Sequence, residues 1–93
     1  MNYDKHTLVN RIEDKFNNHL KKRVGKEFQF YYELEGKVIL RTTVPKGRGD
    51  ISPGTLSRIK NQLCMDRDFF DGFYDCHKKA KDYEKLLREK FGL

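Results

Sequence analysis

The stretch KEFQFYYELEGKVILRTTVP, residues 26–45, decides the fold. Lys26 to Leu34 alternates: Phe28, Phe30, Tyr32 and Leu34 fall on one side of an extended chain, and Glu27, Gln29, Tyr31 and Glu33 on the other. Glu35-Gly36 reads as a tight turn, after which Lys37 to Val44 continues as a β-branched strand that stops at Pro45. Two alternating runs joined by a two-residue turn predict a β-hairpin with one apolar and one polar face. Upstream, His19-Leu20-Lys21-Lys22-Arg23-Val24 reads as a short strand or as a frayed extension of a preceding helix, with strand favoured. Downstream, Lys46-Gly47-Arg48-Gly49-Asp50 is a glycine-rich basic loop, expected to be too mobile for regular structure.

Helices flank this hairpin. Leu8, Val9, Ile12 and Phe16 recur at helical spacing behind a cap at Asn2 or Asp4, and Asn17-Asn18 is a plausible stop. Ser52-Pro53 marks the start of a second helix, with Ser as cap and Pro where a missing N–H costs nothing; Leu56, Ile59 and Leu63 form its apolar stripe. Asp66 caps a third helix bearing Phe69, Phe70, Phe73 and Tyr74, in which Gly72 is a weak spot. A last helix carries Ala80, Tyr83, Leu86, Leu87 and Phe91 before Gly92. The expected class is α+β: a small antiparallel sheet with helices packed on one face, in one domain over residues 1–93. Residues 1–65 are its core and 66–93 a C-terminal helical extension.

Composition narrows the function classes. The 93 residues carry 20 Lys+Arg against 14 Asp+Glu, a net charge of +6, and 13% aromatic side chains. That aromatic content fits a folded chain, and the basic excess fits a polyanionic partner, most often nucleic acid. Apolar runs such as Val38-Ile39-Leu40 are too short to cross a bilayer, so no membrane association is expected. Two cysteines, Cys64 and Cys76, are too few for a disulfide framework, and no secretory leader follows Met1, so a reduced, cytoplasmic protein is expected.

The block Thr43-Val44-Pro45, the basic glycine loop, and Asp50-Ile51-Ser52-Pro53-Gly54-Thr55-Leu56 with Ile59 and Gln62-Leu63 resembles the HicA, or YcfA-like, toxin family. That family carries a strand ending in TVP, a short loop, and a [DE][IL]xPGTLxxIxxQ block opening its second helix. The resemblance is dense over residues 24–63. Asp66-x-x-Phe69, Cys76 and Tyr83 are similar to the C-terminal extension of longer members. It implies a double-stranded-RNA-binding-domain-like fold, α-β-β-β-α plus C-terminal helices. It also implies an RNA-binding protein, an mRNA endoribonuclease in active members, with an antitoxin partner of the HicB type. The family's chemistry uses a strand histidine shortly after a glycine. Here Gly25 is followed by Lys26, Glu27 and Phe28, with no histidine. The expectation is therefore an RNA-binding HicA-like protein whose cleavage activity is weak or lost. The alternative is a non-catalytic RNA-binding or toxin–antitoxin interaction module.

Among candidate sites, the basic residues carry the stronger signal. Lys21, Lys22, Arg23 and Lys26 are uninterrupted by an acid, as are Lys37, Arg41, Lys46 and Arg48. With the strands paired as above, both sets border the polar sheet face and the loop at its end, where Gly47 and Gly49 amides also meet phosphate. Lys22, Arg23, Lys26, Lys37, Arg41, Lys46 and Arg48 are the RNA-binding candidates; Lys residues that only keep the surface solvated are the competing reading. Tyr31, on the same face, is a candidate to stack on a base or a half-buried strand residue. Glu27 is the one catalytic candidate, a general base with Lys26 or Lys37 near a developing phosphorane, weighed against an ordinary exposed carboxylate. His6, His19 and His77 lie off the hairpin. Cys76-His77 with Cys64 lacks the four ligands a zinc site needs, so neither metal nor cofactor is expected. The loop lacks a nucleotide-binding GxxxxGK[ST] pattern. Phe69, Phe70, Phe73 and Tyr74 exceed one helix face, so part of the cluster is a candidate for covering a homo-oligomer or antitoxin contact.

Overall fold

The computed structural model describes residues 2–93. The hairpin forms as the alternation requires: β2 spans Glu27–Leu34 and β3 spans Lys37–Pro45. Glu35 and Gly36 both take positive φ, 52° and 75°, the two-residue turn whose twist matches that of the strands. Phe28 pairs with Val44, Phe30 with Thr42 and Tyr32 with Leu40; a bulge then lets Glu33 pair with Val38, leaving Ile39 as the extra residue. The basic stretch before the hairpin is a strand, β1 (Leu20–Val24), antiparallel to β2, so the sheet order is β1-β2-β3.

Helix boundaries follow the capping chemistry. In α1 (Lys5–Phe16) Asp4 accepts the Thr7 N–H at 2.9 Å, and the helix stops where Asn17 turns to φ 51°. A single 3-10 turn over Asn17–His19 leads into β1. Ser52 caps α2 (Pro53–Gln62) from the Thr55 N–H, and Asp66 caps α3 (Arg67–Tyr74) from the Phe69 N–H. At the start of α4 (Ala80–Phe91) the Asp82 carboxylate reaches back to the Lys79 N–H at 2.8 Å, and Gly92 closes the helix at φ 69°. Gly72 has a packing reason: a Cβ there would stand 2.8 Å from Lys78 Cγ, and its carbonyl accepts from the His77 and Lys78 amides.

One core lies between the sheet and the helices. Phe30, Tyr32, Leu34 and Val44 meet Leu8, Ile12 and Phe16 of α1, Ile59 of α2, Phe70 and Phe73 of α3, and Tyr83 and Leu87 of α4. Residues 66–93 thus place four fully buried side chains in the same core as the preceding segment. Tyr83 joins the parts: its hydroxyl donates to the Leu63 carbonyl at 2.8 Å, while its ring stacks on Phe16 and meets Tyr32 and Phe73 edge-on. All four aromatics of α3 are used within the chain. Phe70 and Phe73 are fully buried, Phe69 packs against Tyr83, and the Tyr74 hydroxyl accepts the Asp4 N–H at 2.9 Å.

The glycine-rich loop is more ordered than its composition suggests. Asp50 bridges Asp4, the Lys5 N–H donates to the Gly49 carbonyl at 3.0 Å, and the Ile51 N–H donates to Tyr3 at 2.8 Å. The loop therefore pairs with the chain entering α1, an interaction between distant segments that local composition does not reveal. Tyr3 adds a hydrogen bond from its hydroxyl to the Asp71 carboxylate, which with burial pushes the phenol up to about 12. Lys15 is buried on α1; its ammonium donates to the Phe73 and Lys78 carbonyls, and burial pulls its pKa down. On the far side His19 bridges the Glu33 carbonyl and the Glu84 carboxylate, each at 2.9 Å, and Arg88 spans Glu84 and Glu35. Hydrogen bonds from Arg88 and then His19 hold the Glu84 carboxyl below the usual glutamate range. These contacts fasten α4 to the hairpin turn. Among the described residues no helix is long and apolar enough to cross a membrane.

Candidate nucleic-acid interface on the outer sheet face

Strand alternation that turns Phe28, Phe30, Tyr32 and Leu34 to the helix side must present their neighbours on the other. Register then aligns these neighbours across the sheet. Lys21 of β1 faces Tyr31 of β2, which faces Arg41 of β3; one step along, Arg23 faces Gln29, which faces Thr43. None of these six side chains is buried, and Lys21, Arg23 and Arg41 are exposed. The result is an open face with two cross-strand rows, each carrying cations at or near the sheet edges.

Side-chain hydrogen bonds fix parts of this face. The Tyr31 hydroxyl donates to Gln29 Oε1 at 2.9 Å. At the β3 edge Arg58 reaches over from α2: Nη1 donates to Thr43 Oγ1 at 2.7 Å and to Gln62 Oε1 at 3.2 Å, and Nη2 to the Thr43 carbonyl at 3.3 Å. Arg58 extends the second row and is the fourth cation of the two rows together. Sequence reading missed it because only the packing of α2 beside β3 brings it there. Lys21 pairs with Glu33 at 3.2 Å, an exposed contact that is weak and easily exchanged. A recess of about 420 Å³ lies elsewhere, along α4; the one on this face measures about 400 Å³ and is lined by Lys21, Lys22, Arg23, Tyr31 and Val38.

The seven expected RNA-binding residues do not share this face. Arg23 and Arg41 are on it, and Lys26 sits in the turn at the Arg23 end, between β1 and β2. Lys22 borders the recess but pairs with Phe30, and its ammonium turns to the helix side, 3.3 Å from Glu13 and 5.0 Å from the centre of the Phe28 ring. Lys46 also lies over Phe28, at 5.7 Å. Lys37 stands beside the hairpin turn, the length of β3 away from Lys46, roughly 25–30 Å at ~3.3 Å per residue. Arg48 belongs to the other end of the fold, where with Asp4 and His6 it lines a cavity of about 280 Å³. The expectation that both basic sets border one face is thus corrected: one residue step turns a side chain to the opposite face.

Glu27 is on the outer face, at the start of β2 where it pairs with Pro45 at the end of β3, and does not line the Tyr31 recess. The histidines are all elsewhere: His6 in α1, His19 between Glu33 and Glu84, and His77 after α3. No histidine therefore stands beside Glu27 to share proton transfer. Cys64 and Cys76 are free, and among the described residues no three His, Cys, Asp or Glu side chains gather as a metal-ligating group. What the arrangement offers chemically is cationic and aromatic contact across an open sheet. No protein-family model, curated protein or solved structure matches the chain.

Proposed function

We propose that this is a cytoplasmic RNA-binding protein of the HicA-like toxin type on a double-stranded-RNA-binding-domain-like fold. Its mRNA endoribonuclease activity is weak or lost, and its protein partner is an antitoxin of the HicB kind. The observation that carries the reading is the pair of rows on the outer sheet face, Lys21–Tyr31–Arg41 and Arg23–Gln29–Thr43 with Arg58 beside them. Cations spaced across a solvent-open sheet contact successive phosphates of a strand. The order helix, three antiparallel strands, helix supports the fold part, with Thr43-Val44-Pro45 ending β3 and Ser52-Pro53-Gly54-Thr55-Leu56 opening α2. Lys26-Glu27-Phe28, standing where the family's histidine is expected, supports the loss of cleavage. That same feature favours the second reading, a module that binds RNA or an antitoxin without chemistry.

Binding and cleavage of an RNA by the purified chain test both parts. The wild type binds with strong salt dependence, and the double variant Arg23→Ala, Arg41→Ala lowers affinity and flattens the log–log salt slope by about one unit per lost phosphate contact. Cleavage is slow or undetectable, since a missing positioned acid–base group removes ~10²–10⁴-fold in rate. Rapid cleavage abolished by Glu27→Gln would make Glu27 the general base and restore the enzyme reading. Absence of RNA binding at low salt would remove the reading altogether.

A further inference from the structure

We infer that the outer sheet face takes an unpaired segment of single-stranded RNA, with one base stacked on Tyr31. The inference rests on the RNA-binding reading above and adds which form of the strand is held and by which residue. Tyr31 occupies the middle strand, directly opposite Lys21 on one side and Arg41 on the other. Directly opposed side chains in an antiparallel sheet stand ~4.5–5.5 Å apart at Cβ, so the ring has a cation on each flank. Its hydroxyl is tied to Gln29 at 2.9 Å, which orients the ring along the strand.

Beside the ring lies the recess of about 400 Å³ bordered by Lys21, Lys22, Arg23, Tyr31 and Val38. Val38 is 52% exposed, an aliphatic side chain beside the polar and charged groups of this face. The recess therefore joins an aromatic ring and an aliphatic contact to a cationic rim. A nucleotide has the matching halves, a planar apolar base and an anionic phosphate. An acidic peptide or a sulfated sugar chain meets the cations but brings no planar face to the ring. A duplex keeps its base faces inside its own stack, so it too leaves Tyr31 unused. The Lys21–Glu33 pair across the rim is exposed, and phosphate displaces the carboxylate at little cost.

The experiment is a fluorescence-anisotropy titration of the full chain with a short labelled RNA of unstructured sequence, alone and annealed to its complement. The same strand made with deoxyribose is run as competitor. The single strand is expected to bind at least about tenfold more tightly than the duplex, with Tyr31→Ala weakening it by about 5- to 150-fold, the range for one stacked base. Tyr31→Phe, which keeps the ring, stays within about twofold of wild type, and neither variant changes the salt slope. Arg41→Ala, by contrast, lowers that slope by about one. If Tyr31→Ala binds as tightly as wild type while Arg41→Ala is weakened, stacking is overturned and phosphate binding stands. Equal affinity for duplex and single strand likewise overturns the inference and leaves RNA binding intact. A deoxyribose strand that outcompetes the RNA overturns RNA as the occupant, and failure to bind any nucleic acid removes both readings.

Discussion

Tyr31 and Tyr32 are neighbours in one strand and have opposite fates. Tyr32 is fully buried, stacked on His19 and edge-on to Phe16 and Tyr83, and its hydroxyl has no hydrogen-bond partner among the described residues. Tyr31 is half-buried, its hydroxyl bonded to Gln29 and its flanks occupied by Lys21 and Arg41. The same side chain thus serves the core on one face and solvent on the other, and only the parity of the strand decides which. The contrast extends across the sheet. The helix side is filled by aromatics of α1, α3 and α4 with Ile59 of α2, while the other side carries no buried residue at the aligned positions.

The largest effect expected from this contrast is on stability. Tyr32→Ala removes a ring from a sealed aromatic cluster and leaves a cavity, at a cost of about 3–5 kcal/mol. Tyr31→Ala loses only cross-strand contacts on an open face, about 1 kcal/mol or less. Paired urea titrations with matched slopes measure both. Similar midpoints for the two variants would mean that the strand does not sort its side chains as described.

Lys21 and Lys22 sharpen the comparison on the binding side. Lys21→Ala is expected to weaken RNA binding several-fold and to take about one unit from the salt slope, because one phosphate contact is lost. Lys22 also borders the recess, but its ammonium is turned toward Glu13 and Phe28, so Lys22→Ala should change the slope less than Lys21→Ala does. A slope altered by Lys22→Ala and untouched by Lys21→Ala would move the interface to the helix side of β1.

Local chemistry made much of the fold legible. The Phe28–Leu34 alternation, the Glu35-Gly36 turn and the Ser52 and Asp66 caps each depend on residues within a few positions of one another, and each forms where its sequence signal lies. The site was less legible because it depends on register. Arg23 and Arg41 were found from charge alone, but charge says nothing of facing: Lys22 shares its parity with Leu20 and Val24, the apolar pair of β1. Arg58 and the Tyr3 hydrogen bond to Asp71 come from segments far apart in the chain, and no spacing in the sequence announces them. The glycine loop illustrates the same limit in reverse, since its order is supplied by the backbone of residues 3–5.

The smallest effect is the most specific. Among the described residues the buried Tyr32 hydroxyl has no partner, and such a group costs about 1–3 kcal/mol of desolvation that no hydrogen bond returns. Burial also pushes its phenol up to about 12 from an ordinary value of 10.0. Tyr32→Phe keeps the ring against His19, Phe16 and Tyr83 and deletes only the oxygen, so the variant should be as stable as wild type or about 1 kcal/mol more stable near neutral pH. The alkaline limb should respond as well. A phenol that ionises more readily in the unfolded chain than in the folded one contributes stability that is complete below pH 10.0 and drains away as pH rises toward about 12. Phe has nothing to ionise, so the variant's stability should fall less steeply over that window, with Tyr3 and Tyr83, both raised, still contributing their share. Urea midpoints at neutral pH and across the alkaline range decide it: a Tyr32→Phe variant clearly less stable than wild type at neutral pH would mean that the hydroxyl has a partner after all, most simply an ordered water held between Tyr32 and the Glu84–Arg88 pair.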